Sequence, residues 1–152
     1  MLRPELSQSL KDAMRAKEAL TVSTIRLILA ALKDRDIAAR GDGNSEGLPD
    51  EEILQLLQKM IKQRHESIKL YEEAGRVELA AREQGEIDVI NRFLPKQLSD
   101  EEIAAEVSKV ITEIGASSVK DMGRLMSALR ERYVGQMDFG KASAAAKAPF
   151  LS

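Results

Sequence analysis

The chain has 152 residues, of which 43% are hydrophobic, 32% charged and only 3% aromatic, and its net charge is −2. That balance excludes a disordered chain and a polycation, and fits one domain or two small ones with a core of Leu, Ile, Val, Met and Ala. No cysteine is present, which excludes disulfides and thiolate chemistry.

Met1 to Lys17 is charged throughout and carries no apolar signal core. The most apolar run, Val22 to Leu32, is interrupted by Arg26 and is too short to span a bilayer. The expected setting is therefore a soluble, cytoplasmic one with no membrane partner.

Leu6, Leu10, Ala13 and Met14 recur at helical spacing and predict a first helix from about Pro4 to Lys17. Pro4 suits a first turn, where the missing amide hydrogen has no intrahelical use. A second helix runs from about Leu20 to Arg40, with Val22, Ile25, Ile28, Leu29 and Leu32 as its stripe. The segment from Gly41 to Gly47 reads as a mobile loop. A third helix starts near Leu48-Pro49-Asp50-Glu51-Glu52-Ile53, places Ile53, Leu57, Met60, Ile61, Arg64 and Ile68 on one face, and stops at Gly75. A fourth, Arg76 to Leu94, sets Glu83 on its apolar face. It contains Gly85, which either permits close packing or lies exposed.

Pro95 ends that helix, because it lacks an amide hydrogen and pushes Leu94 out of helical dihedrals. Ser99 and Glu102 then form a capping box, with Leu98 and Ile103 as the hydrophobic staple. The Leu98–Ile103 segment matches Leu48–Ile53 at five of six positions, which reads as two uses of one helix-start solution rather than a repeat. Beyond the hinge the helices shorten. Ile103, Val107, Val110, Ile111 and Ile114 face one way, up to Gly115. Ser118 with Asp121 starts a sixth helix carrying Met122, Leu125, Met126 and Leu129. Asp138 caps a seventh, rich in alanine, to about Ala148. Apolar and polar residues nowhere alternate in a sustained way. The expected fold is all-α: a long-helix N-terminal domain over residues 1–95, then a small three-helix tail domain over 96–152.

Catalytic and metal-binding patterns are scarce. His65 is the single histidine, flanked on its helical face by Lys62 and Lys69, and is expected in solvent. The acid pairs Glu51/Glu52, Glu72/Glu73 and Glu101/Glu102 are adjacent on helices and point about 100° apart, so they serve caps and solubility. The glycines of the loop make neither a phosphate loop nor a calcium loop. No catalytic residue, metal ligand or cofactor is expected.

Charge is uneven. Residues 1–40 carry eight bases and five acids, residues 41–95 seven and twelve, and residues 96–152 eight of each. From Lys120 onward, however, six bases (Lys120, Arg124, Arg130, Arg132, Lys141 and Lys147) face three acids (Asp121, Glu131 and Asp138). Such a set can contact phosphates or form an ordinary solvated face, and Arg130 and Arg132 also suit a helix C-terminus. Tyr133 and Phe139 are the nearest stacking candidates, with core packing the alternative for Phe139. Gly123 serves either close helix packing or backbone approach to a partner.

Several of these pieces occur together in a known order. Arg76-Val77-Glu78-Leu79-Ala80, Glu83, Glu86-Ile87, Phe93-Leu94-Pro95-Lys96-Gln97-Leu98-Ser99-Asp100-Glu101-Glu102-Ile103, Asp121-Met122-Gly123-Arg124-Leu125-Met126, Gly135 and Asp138, with Thr24-Ile25-Arg26-Leu27 earlier, resemble the GatB/YqeY family over nearly the whole chain. The resemblance implies a long-helix domain and a three-helix tail like that of the B subunit of the aspartyl/glutamyl-tRNA amidotransferase. With it comes the family label of carbon–nitrogen ligase with glutamine as amido-N-donor. The ATP-dependent region of that subunit has no counterpart here, and the amidase machinery belongs to another subunit, so no catalytic residue carries over. The expectation is a non-catalytic tRNA-interaction module with Lys120, Arg124, Arg130, Arg132, Lys141 and Lys147 as candidate RNA contacts. The alternatives are a helical protein-interaction adaptor, an accessory factor of an amidotransferase-like complex, and a glutamine-dependent ligase in its own right.

Overall fold

Helical periodicity carries through the chain. A computed structural model describes residues 1–151. Among them are seven α-helices and one short 3-10 turn, and no strand: α1 (Leu2–Ala16), α2 (Ala19–Gly41), α3 (Asp50–Glu73), α4 (Val77–Asn91), α5 (Asp100–Ile114), the 3-10 turn Val119–Asp121, α6 (Met122–Tyr133) and α7 (Phe139–Leu151). The fold is all-α. Cα packing separates it into two compact units, Met1–Leu94 and the part from Pro95 onward.

In the first unit α3 and α4 lie along each other, α1 packs on α2, and α2 reaches α4. Leu6, Ile25, Ile28, Ile53, Leu57 and Ile90 are fully buried at its centre. Gly85 has the packing role. A Cβ there would lie 2.6 Å from Leu20 Cδ2, so glycine leaves room for the tip of that side chain from the first turn of α2, which could otherwise shift aside. The acid buried on α4 is Glu86, 8% exposed, whereas Glu83 remains half-buried. Glu86 can go under because Arg64 of α3 meets it at 2.9 Å.

Helix α4 is shorter than its periodicity predicts. It ends at Asn91, and the amides of Arg92, Phe93 and Leu94 then donate to Val89, Ile90 and Asn91, three residues back. Ahead of Pro95 the chain tightens into 3-10-type bonding instead of continuing the α-helix.

The capping box at Ser99 is present: Glu102 N donates to Ser99 Oγ at 3.1 Å and Ser99 N to Glu102 Oε1 at 3.0 Å. Pro49 adopts nearly the same extended backbone before α3 (φ −70°, ψ 163°, against −70° and 168° at Ser99), yet it has no side-chain oxygen to offer. The two starts share backbone and first-turn acids but not the box. Leu98 packs against the second core, and its amide donates to Gln136 O at 2.8 Å. Val107, Val110, Leu125, Leu129 and Met137 fill that core with Ala142 and Ala146 of α7. The small alanines let α7 lie close against α5. Asp138 Oδ1 accepts from the amides of Gly140 (2.9 Å) and Lys141 (3.2 Å) and so caps α7. This helix continues past Ala148 to Leu151, with Pro149 in its last turn, where the missing N–H removes one backbone hydrogen bond.

Ser99→Ala is expected to cost about 1 kcal/mol, felt in the second unit. A thermal melt superimposable on that of the wild type would show that the box contributes nothing.

Candidate nucleic-acid interface

The six expected RNA contacts sit on the 3-10 turn (Lys120), α6 (Arg124, Arg130, Arg132) and α7 (Lys141, Lys147), and all six are exposed. They do not gather into one cluster. Successive helical residues rotate by about 100°, so Arg130 lies roughly 120° from Arg124 and on the opposite flank from Arg132. Their contacts agree. Arg124 Nη1 donates to Ile114 O of α5 at 2.9 Å, and Arg132 pairs with Glu113 of α5. Arg130 instead stands 5.9 Å over the ring of Phe139, the first residue of α7.

Three of the six are answered by acids. Arg124 Nη2 reaches Asp121 Oδ1 at 3.4 Å, Lys141 Nζ reaches Asp100 Oδ1 at 2.9 Å, and Arg132 holds Glu113. The Arg132 hydrogen bond keeps the Glu113 carboxyl below the usual carboxylate range, and the Asp100 hydrogen bond raises Lys141. Among the described residues, Lys120 and Lys147 have no acid partner within ion-pair distance, and Arg130 has only the Phe139 ring. Of the stacking candidates, Tyr133 donates its hydroxyl to Glu106 and Phe139 packs against the second core. That bond to a carboxylate, with burial second, raises the Tyr133 pKa.

Gly123 packs on nothing: no atom lies within 4 Å of where its Cβ would be. It is exposed in the first turn of α6, so close helix packing is not its role. Lys120 on the 3-10 turn and Gly123 and Arg124 in the first turn of α6 are all exposed within five residues, with the exposed Ser127 a turn further on. Asp121 sits beside them, but its Oδ2 is taken by the amides of Ser117 (2.8 Å) and Ser118 (3.3 Å). Those bonds pull its pKa down, with Arg124 a smaller cause.

His65 is exposed on α3. No group of three or more His, Cys, Asp or Glu among the described residues is placed to hold a metal ion. No described helix is long and apolar enough to cross a membrane.

The chain matches the family model described as Yqey-like protein over residues 3–150. It is 36% identical over 115 residues to the Altered inheritance of mitochondria protein 41, mitochondrial, of Lachancea thermotolerans, covering 74% of this chain and 59% of that protein. The protein of the same name in Clavispora lusitaniae is 33% identical over 118 residues, covering 76% of this chain and 66% of the relative. The Saccharomyces cerevisiae protein is 35% identical over 89 residues, covering 59% of this chain and 46% of its own. This chain thus spans about half to two-thirds of the length of these relatives.

Their names correct the cytoplasmic expectation, since these relatives are named as mitochondrial proteins. The features behind that expectation do not discriminate. A cysteine-free, charged helical chain carries no chemistry that distinguishes the cytosol from another aqueous compartment.

Proposed function

Since the chain belongs to the YqeY-like family, we propose that its second unit is a non-catalytic RNA-contacting module, with tRNA as the RNA, and that the working compartment is mitochondrial, as in its named relatives. The observation that carries the reading is the open side of α6, where the uncovered backbone at Gly123 lies between the exposed cations Lys120 and Arg124. A phosphate chain needs cations it can reach and a surface without bulk in the way. Arg130 and Lys147, exposed on α6 and α7, add positive charge to the same unit. Arg132 and Lys141 are secondary, because acids of α5 hold them closely, whereas Arg124 reaches its acid, Asp121, only at 3.4 Å. A module of this kind would act beside an amidotransferase-like complex as an accessory that holds the RNA.

The test is a titration with total tRNA between about 50 and 200 mM salt, where phosphate-driven binding weakens steeply. Lys120→Ala with Arg124→Ala is expected to weaken binding and to flatten the salt slope by about one for each phosphate no longer neutralised. Arg132→Ala should change it less. Absence of any salt-sensitive tRNA affinity overturns the reading and favours the helical adaptor, for which Leu27 and Ile37, 46% and 53% exposed on α2, are the apolar contacts.

A further inference from the structure

The first unit contains a cavity that the RNA reading does not use. The packing side of α1 begins with Leu2, Leu6 and Leu10 and then changes to Ser9, Ala13 and Ala16. Where the side chains shrink, a space of about 260 Å³ opens between α1, the start of α2 and the residues that follow α4. Its floor is closed and mostly apolar: Ala13, Ile25 and Phe93 are 4%, 0% and 7% exposed, with the buried Thr21, 8% exposed, beside them. Its rim is charged and exposed, with Asp12 from α1, Glu18 just before α2 and Arg92 just after α4. The Glu18 and Arg92 side chains make no ion pair or hydrogen bond with any described residue, and Asp12 accepts only from Gln8 Nε2, at 2.9 Å.

Opposite charges therefore line one cavity without neutralising each other. In the free protein water solvates these exposed charges, and a ligand that replaces that water at all of them is itself dipolar, with an apolar body to cover the floor. We infer that this cavity binds a free α-amino acid. The carboxylate meets the Arg92 guanidinium, whose planar fork suits a two-oxygen acceptor. The ammonium meets Asp12 and Glu18, and an apolar side chain lies on Ala13, Ile25 and Phe93. The size is right for one residue and too small for a peptide of any length. All the lining residues precede Pro95, so the inference stands or falls independently of RNA binding by α6.

The experiment is a thermal-shift and calorimetric screen of the full chain against the twenty free L-amino acids. The best of them is then compared with its N-acetyl and carboxamide forms. Saturable binding by an apolar amino acid is expected. Each blocked form should lose roughly tenfold or more in affinity, the scale of one charge-assisted hydrogen bond. Arg92→Ala and Glu18→Gln are rim changes that leave the core intact, and each should weaken binding similarly. Ala13→Leu fills the space and should abolish it, with the melt of that variant confirming that the chain is folded. No binding by any of the twenty overturns the inference. So does binding that the blocked forms match, or that Arg92→Ala leaves unchanged.

Discussion

Glu86→Ala is expected to destabilise the protein by about 3–5 kcal/mol, a large share of the roughly 5–15 kcal/mol that holds a typical domain. Glu86 and Arg64 are the charges buried between α3 and α4, with side chains 10% and 13% exposed and Nε–Oε2 at 2.9 Å. Arg64 also donates through Nη1 to Met60 O at 3.1 Å. Removing the carboxylate leaves a buried guanidinium with one carbonyl for company, which costs far more than the pair itself contributes. Arg82 cannot take over. It carries the same sign, is 67% exposed, and only approaches Glu86, at 3.9 Å.

The companion variant distinguishes this account from a general loss of packing. Arg64→Met with Glu86→Leu keeps the volume and removes both desolvated charges, so it should recover most of the loss. Urea denaturation measures both: the midpoint of Glu86→Ala should fall with little change in slope, and that of the double variant should return. A cost below about 1 kcal/mol for Glu86→Ala would mean that the pair is in effect solvated, as surface pairs are.

The helices themselves were legible because their signals are local. The spacing of Ile103, Val107, Val110, Ile111 and Ile114 and the Ser99/Glu102 pair lie within one helix, and both hold. Where local signals conflicted, geometry decided. Pro49 mimics the backbone of Ser99 without its hydroxyl, and ahead of Pro95 the α-helix ends at Asn91, three residues before the apolar stripe ends at Leu94. Periodicity sets Glu83 on the apolar face of α4, but the buried acid is Glu86, one turn on. Only the position of Arg64, 22 residues earlier on another helix, selects Glu86.

Sites were less legible for the same reason. The six cations were identifiable by type and position, but the acids that answer Arg132 and Lys141 are Glu113 and Asp100 of α5, 19 and 41 residues away. The charge balance of a segment cannot show pairing across that separation. The cavity beside Phe93 left no positive signal, because it is made by small residues where large ones would have closed it. Gly123 stands out by its place at a helix start, and only the empty space over it decides between its two roles.

Gly47→Ala is expected to cost about 2–3 kcal/mol, about 1–2 of it from placing an L-residue in left-handed backbone. Its φ is +85°, and a Cβ there would stand 2.9 Å from both Arg3 Nη2 and Asp36 Oδ1. Those atoms belong to a two-bonded fork: Arg3 Nη1 to Asp36 Oδ2 and Nη2 to Oδ1, both at 2.8 Å. The fork also ties down the end of the loop, since Leu48 N donates to Asp36 Oδ1 at 3.0 Å and Arg3 Nη2 to Leu48 O at 3.1 Å. Gly43→Ala is the control. Its φ is +92° with nothing within 4 Å, so it carries the backbone strain without the crowding. The difference between the two variants is the cost of crowding the fork. Asp36 supplies an independent reading. The Arg3 hydrogen bond, opposed by burial and helped by the Leu48 amide, holds its pKa at about 2 against an ordinary 3.8. A carboxyl depressed in the folded state adds stability that is fully present above the ordinary value and is lost as pH falls from about 4 to 2. In Gly47→Ala that loss should shrink, because part of it has already occurred at neutral pH. Denaturation midpoints at pH 7 and through the acid range measure both effects. If Gly47→Ala matches Gly43→Ala at every pH, the fork bears no strain from that position and the loop is held by its backbone alone.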